Sequence, residues 1–162
     1  MAINLPTNPN GDQYEDLIIS VLNAIGYFVE SNMVLSHEGK EILELDVVAT
    51  PVAEGSENRI LFEVKSAGIS FSNIFKLFGQ KTYLGIDNAC LVSLKGANDA
   101  YLPVYENKGQ ELGIKICRFQ LQDTKATELH DQHNNISEDT VGAITYALWY
   151  SNVCQRIALS DL

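Results

Sequence analysis

From Tyr14 onward the apolar positions Tyr14, Leu17, Ile18, Val21, Leu22 and Ile25 recur at spacings of three and four. That is the period of a helix with one buried face. Asp12, within Gly11-Asp12-Gln13, stands where a helix cap is expected, and Gly26 where the helix should stop. After Gly26 the period changes. Residues 27–35 read as a first strand, with a turn at His37-Glu38-Gly39-Lys40. Two further runs, Ile42-Leu43-Glu44-Leu45-Asp46-Val47-Val48-Ala49 and Arg59-Ile60-Leu61-Phe62-Glu63-Val64-Lys65, flank the polar segment Glu54-Gly55-Ser56-Glu57-Asn58. They read as the second and third strands of a meander.

A second helix follows, capped by Ser70 or Ser72 and stopping near Gly85, with Phe71, Ile74, Phe75 and Phe78 as its core stripe. Residues 88–94 contain the continuous run Ala89-Cys90-Leu91-Val92, expected as a buried strand. A helix over 99–112 carries Pro103 in its early part, and residues 114–119 alternate as a strand. Residues 120–135 are polar and read as loop. Ser137-Glu138-Asp139 opens a last helix running to about residue 158, with Ala143, Ile144, Ala147, Leu148 and Val153 as apolar positions. A meander followed by a crossover helix predicts an α/β fold, a mixed sheet with helices on both faces. The pattern predicts a single domain over 1–162, its core at about 11–119 and a C-terminal helix at about 137–159.

The two central strands hold the candidate chemistry. Alternation places Glu44, Asp46 and Val48 on one face with Leu45 and Val47 on the other, and Leu61, Glu63 and Lys65 together on the next strand. A turn centred near Glu54-Gly55 sets Asp46 roughly opposite Glu63, and a turn a residue or so later leaves them diagonal neighbours. Like charges so placed destabilise a sheet unless something compensates. A divalent cation would do so, since Mg²⁺ takes oxygen ligands and usually uses one or two carboxylates with several waters. Lys65 then lies two residues along the same face, within reach of a metal-bound water. Glu15 borders the apolar stripe of the first helix and is a third carboxylate for the same ion. The bland alternative is an exposed sheet face laced with ion pairs, with Glu15 a first-turn glutamate favoured by the helix dipole.

This arrangement resembles the PD-(D/E)xK nuclease superfamily, the restriction-endonuclease-like fold. The resemblance rests on Asp46 in the second strand, Glu63-Val64-Lys65 in the third, Glu15 on the preceding helix and Gln80 on the following one. Leu45 stands where the family has proline. The resemblance implies an αβββαβ core and hydrolysis of DNA phosphodiesters with Mg²⁺, which Mn²⁺ would replace. It implies that Asp46, Glu63, the Val64 carbonyl and Glu15 hold the ion, and that Lys65 orients or deprotonates the attacking water. Gln80 would complete the catalytic set.

Composition narrows the setting. With 162 residues, 46% of them hydrophobic and 20% charged, the chain has the makings of one ordinary folded domain. The N-terminus lacks the basic and apolar regions of a secretory signal, and no apolar run is long enough to span a membrane. Cys90, Cys117 and Cys154 are scattered and odd in number, so a cytoplasmic location is expected. The net charge of −10 argues against a surface that grips nucleic acid throughout. A partner, a homodimer or a larger assembly is expected to supply DNA capture. Lys76, Lys81 and Lys95 form either a phosphate-contacting strip or a solubilising face. His37, His130 and His133 read as surface residues, and Tyr146, Trp149 and Tyr150 either pack on the sheet or face a partner. The rival functions are an inactive nuclease-like domain serving as an assembly module, and a structural α/β domain. RNA is open to the same chemistry as DNA.

Overall fold

The computed structural model describes residues 4–52, 58–95, 101–120, 129 and 138–160. The expected turn through Glu57, the start of the third helix, most of the 120–135 segment with His130 and His133, and Ser137 lie outside the described residues.

The elements run α1 (Gly11–Ala24), β1 (Tyr27–His37), β2 (Lys40–Pro51), β3 (Ile60–Lys65), α2 (Phe71–Leu84), β4 (Asn88–Ser93), α3 (Leu102–Glu111), β5 (Ile114–Arg118) and α4 (Glu138–Ser160). The five strands form one mixed sheet in sequential order. β1, β2 and β3 pair antiparallel, whereas β3–β4 and β4–β5 are parallel and joined through α2 and α3. The expected α/β class and meander are therefore observed. No helix among the described residues is long and apolar enough to cross a membrane.

Two hydrophobic cores flank the sheet. One packs α1 and α4 against Val47, Ala49, Phe62, Val64, Cys90, Val92 and Cys117. The other packs Ile74 and Leu77 of α2 against Val48, Leu61, Leu91 and Ile114, with Tyr105 and Leu112 at its margin. Long-range hydrogen bonds fix α1. Tyr14 donates its hydroxyl to the Phe119 carbonyl at 2.9 Å, Trp149 donates its indole N–H to the Gln13 carbonyl at 3.1 Å, and Arg156 forks onto both oxygens of Asp16.

Four local expectations are corrected. Asn10, not Asp12, caps α1, in a reciprocal capping box with Gln13. On β2, Leu45 does not share a face with Val47: Leu43 and Leu45 pack on the α2 side, Val47 and Ala49 on the α1 side. On α2, the buried positions are Ile74, Leu77 and Gln80, while Phe71, Phe75 and Phe78 are substantially exposed. The helix carries two stripes at helical spacing, and periodicity alone does not say which one the sheet covers. On α4, Val141, Thr145, Trp149 and Val153 turn inward, whereas Ala143, Ile144 and Ala147 face out. The Trp149 and Arg156 contacts to α1 set that rotation. Tyr146 and Tyr150 are exposed, so of the three C-terminal aromatics Trp149 is the one that packs inside.

The exposure of Phe75 has a measurable consequence. Phe75→Ser is expected to change unfolding free energy by no more than about 0.5 kcal/mol, as at other unburied sites. Leu77→Ala, two residues on, is expected to cost about 2–5 kcal/mol through the cavity it leaves. Urea denaturation of the two variants measures both, and a large loss in Phe75→Ser would place the aromatic stripe in the core after all.

Candidate functional site

The site forms where β2 leaves β3. The ladder between them pairs Ala49 with Ile60, Val48 with Leu61 and Val47 with Phe62, and pairing goes no further. Extended by one residue, that register sets Asp46 against Glu63, the relation expected from a turn centred at Glu54-Gly55. At the same level β1 and β2 bend. Asn32, between the pairs Ser31–Val47 and Met33–Leu45, adopts a left-handed backbone with φ of 51°. Asparagine is among the few residues that tolerate this conformation. Beyond the bend the odd-numbered residues of both strands change sides: Val29 and Val47 pack toward α1, Met33 and Leu45 toward α2. Asp46 occupies the corner. Its Oδ2 accepts the Val64 amide at 2.9 Å, so a side chain binds β3 just past the point where the main-chain ladder stops.

Glu63 lies in the central strand, between β2 and β4, and its side chain is 1% exposed. A buried carboxylate requires charge partners. Two ammonium groups provide them. Lys65 Nζ lies 2.7 Å from Glu63 Oε1 and 3.5 Å from Asp46 Oδ2. Lys76, one helical turn before Gln80 on α2, donates to both Glu63 oxygens at 2.9 Å and lies 3.9 Å from Asp46 Oδ1. Burial pushes the Lys65 pKa down, but its hydrogen bond to Glu63 and the charges of Glu63 and Asp46 outweigh burial and hold it above the ordinary lysine value. Lys65 is thus a fixed positive charge. Deprotonating a water, the second role the resemblance implied for it, requires a neutral amine that this environment opposes.

Glu15 approaches from the α1 side of the sheet. Its Oε1 is buried and accepts no hydrogen bond among the described residues. Burial and the nearby charge of Asp46 push its pKa up to about 7, with Asp16 adding and Arg156 and Asn32 opposing. The carboxyl therefore titrates near neutrality. Because the folded pKa is raised from 4.5, stability associated with the protonated form is complete below about pH 4.5 and is lost as pH rises through 7. Glu15→Gln is expected to be more stable than the parent above pH 7, by about 1–2 kcal/mol after allowance for solvent screening. The difference should shrink toward pH 5. A pH series of thermal melts measures it, and a pH-independent difference would contradict the assignment.

The other sequence-selected residues are placed as follows. Gln80 is buried and donates its amide to the Glu44 carbonyl at 2.8 Å, tying α2 to β2 two residues before Asp46. It supports the strand that carries the acid. Lys81 points elsewhere, donating to the Asp87 and Gly113 carbonyls near the starts of β4 and β5. Glu44 and Lys95 are exposed. Sequence reasoning placed Lys76 in a phosphate-contacting strip or on a solubilising face, whereas its ammonium is bound to both Glu63 oxygens within the cluster. It missed Asn32 entirely. The signal for Asn32 was present in the polar interruption Glu30-Ser31-Asn32 of an otherwise apolar strand.

A Mg²⁺ ion is implied by the family resemblance, and the residues present fit it. Among the described residues no three His, Cys, Asp or Glu side chains are grouped to hold a metal. Two carboxylates with water and a main-chain oxygen are nevertheless a set that Mg²⁺ accepts. The buried Glu15 Oε1, which no described donor reaches, is a further hard oxygen on the same side of the sheet as the Val64 side chain.

Fold and cluster together define an α/β domain with helices on both faces of a mixed sheet and a carboxylate–lysine cluster where its antiparallel part splits. No family model matches the chain, and no curated protein matches it. Among solved structures it is similar to a crystal structure described as a protein of unknown function, AF1548, with 15% identity and a TM-score of 0.48. The match covers 65% of this chain and 57% of that one, so the chain spans little more than half of that neighbour's length.

Proposed function

We propose that this chain is a nuclease domain of the PD-(D/E)xK type, with a restriction-endonuclease-like core, that hydrolyses DNA phosphodiester bonds with Mg²⁺. The observation that carries the reading is the convergence of Asp46, Glu63 and Lys65 at the split between β2 and β3. Asp46, Glu63 and the Val64 carbonyl would hold the ion, with Glu15 reaching it through a coordinated water. Bound there, it would polarise a phosphoryl oxygen and acidify a coordinated water. Lys65 holds a positive charge, preorganised by two carboxylates, where negative charge develops at phosphorus. Glu15 would accept a proton at Oε1, the buried oxygen that no described donor reaches. Gln80 keeps the β2 backbone in place behind Asp46.

A second reading, an assembly module without activity, is favoured by the exposed stripe of Phe71, Phe75 and Phe78 on α2. Clustered exposed aromatics of this kind mark interaction surfaces. One assay separates the two. Supercoiled plasmid is incubated with the protein and Mg²⁺ or Mn²⁺, with EDTA as control. Nicking that requires the ion and is lost in Lys65→Ala supports the enzyme. Intact DNA and RNA, together with no heat of divalent-ion binding, would leave the module.

A further inference from the structure

The two lysines of the cluster are not equivalent, and their difference points to a function for the second one. Lys65 comes from the same strand as Glu63 and already supplies an ammonium to both carboxylates. Lys76 comes from the crossover helix and repeats that service. Its Nζ is equidistant, at 2.9 Å, from the two Glu63 oxygens and 3.9 Å from Asp46 Oδ1. That point lies against both Glu63 oxygens and faces Asp46, the two carboxylates a divalent ion would need as ligands. The ammonium and a divalent ion would exclude one another there. Charge leads to the same conclusion. Asp46 and Glu63 contribute two negative charges, and Lys65 and Lys76 two positive ones. These four charges offset one another, and a dication added among them would meet two ammonium groups at close range. One of them has to leave. The Lys65 side chain is 30% exposed and that of Lys76 43% exposed, on a flexible four-carbon stem at the edge of α2. Lys76 can reach water by rotating its own side chain. Glu63 keeps its Lys65 partner when this happens, so the departure leaves no bare buried charge.

We propose that Lys76 is a resident cation substitute: it occupies the ion position in the metal-free protein, and a divalent ion binds by displacing it. The site then loads only at ion concentrations that outcompete a covalently tethered ammonium. This inference rests on the nuclease reading for the identity of the ion, but it concerns affinity and not cleavage.

The test is calorimetric titration of Mg²⁺ into the full chain, for the parent, Lys76→Met and Lys76→Gln. Each variant is expected to bind Mg²⁺ about tenfold more tightly than the parent. Lys65→Met, which keeps the displaceable ammonium in place, is expected to gain less. An independent readout needs no variant. After reductive ¹³C-methylation of the lysines, the Lys76 methyl resonance, assigned by its absence from Lys76→Gln, is expected to shift toward a free, solvated position as Mg²⁺ is added. Parent and Lys76 variants binding Mg²⁺ with equal affinity, or a Lys76 resonance that ignores the ion, would overturn the displacement and leave the nuclease reading standing. Absence of Mg²⁺ binding in every form would overturn both.

Discussion

Lys65→Ala is expected to reduce Mg²⁺-dependent plasmid cleavage by about 10²–10³-fold, the usual loss when one preorganised electrostatic group is removed from a transition state. The fold should survive, because Glu63 retains the Lys76 ammonium on both oxygens. Lys65→Arg is expected to recover little. A planar guanidinium does not fit a point-charge position 2.7 Å from one carboxylate and 3.5 Å from another. Asp46→Asn provides the companion variant. Its amide oxygen can still accept the Val64 N–H, so the β2–β3 junction is kept while the negative charge is lost. Cleavage by Asp46→Asn should fall as severely as in Lys65→Ala, with a near-normal thermal melt. Phe75→Ser is the control expected to cut normally unless the aromatic stripe contacts the substrate. If Lys65→Ala and Asp46→Asn cut DNA like the parent, the cluster is not the catalytic centre.

The second large effect is on stability. Removing both lysines, as Lys65→Met with Lys76→Met, is expected to destabilise the domain by about 3–5 kcal/mol, the cost of an uncompensated buried charge. Each single substitution should cost far less, because the remaining ammonium stays on Glu63. The double loss should exceed the sum of the singles, as it does for groups in one network. Adding Glu63→Gln to the double variant should restore much of the loss, since the neutral amide removes the charge that had been stranded. Urea unfolding of the parent and the four variants measures all three relations. Additive singles with no rescue would mean that the Glu63 carboxylate finds solvent, despite a side chain that is 1% exposed.

The cluster depends on the break in β1 and β2 at Asn32. A straight β2 would continue its ladder past Val47, and Asp46 would lie flat against Glu63 as a repulsive cross-strand pair. The bend at Asn32 turns the outer part of the β1–β2 hairpin toward α2 and frees the Asp46 carboxylate to cap β3 at Val64. Gln80 secures the displaced strand at Glu44. Positive charges from β3 and α2 then reach the two acids together.

Much of this was present in the chain itself. The helix period from Tyr14 to Ile25, the apolar runs of β2 to β4 and the polar segments between them determined the element order. Turn spacing narrowed the Asp46–Glu63 relation to opposite or diagonal, because pairing in a hairpin is a count along the chain, and the Val47–Phe62 pair selects the first. The grouping of Asp46, Glu63 and Lys65 followed from charges placed in strands that otherwise bury themselves.

What the chain did not reveal depends on which neighbour each face meets. α2 has one stripe through Ile74 and Leu77 and another through Phe71, Phe75 and Phe78, and its period is the same for both. α4 was ambiguous for the same reason until Trp149 and Arg156 found α1. The reversal of faces at Asn32 breaks the two-residue alternation on which strand reading relies. The place of Lys76 depends on how α2 crosses the sheet after a parallel connection, a relation between elements distant from the counting rules of either. Periodicity encodes what a segment can bury; the packing of sheet against helix decides which side it buries, and so which charges meet.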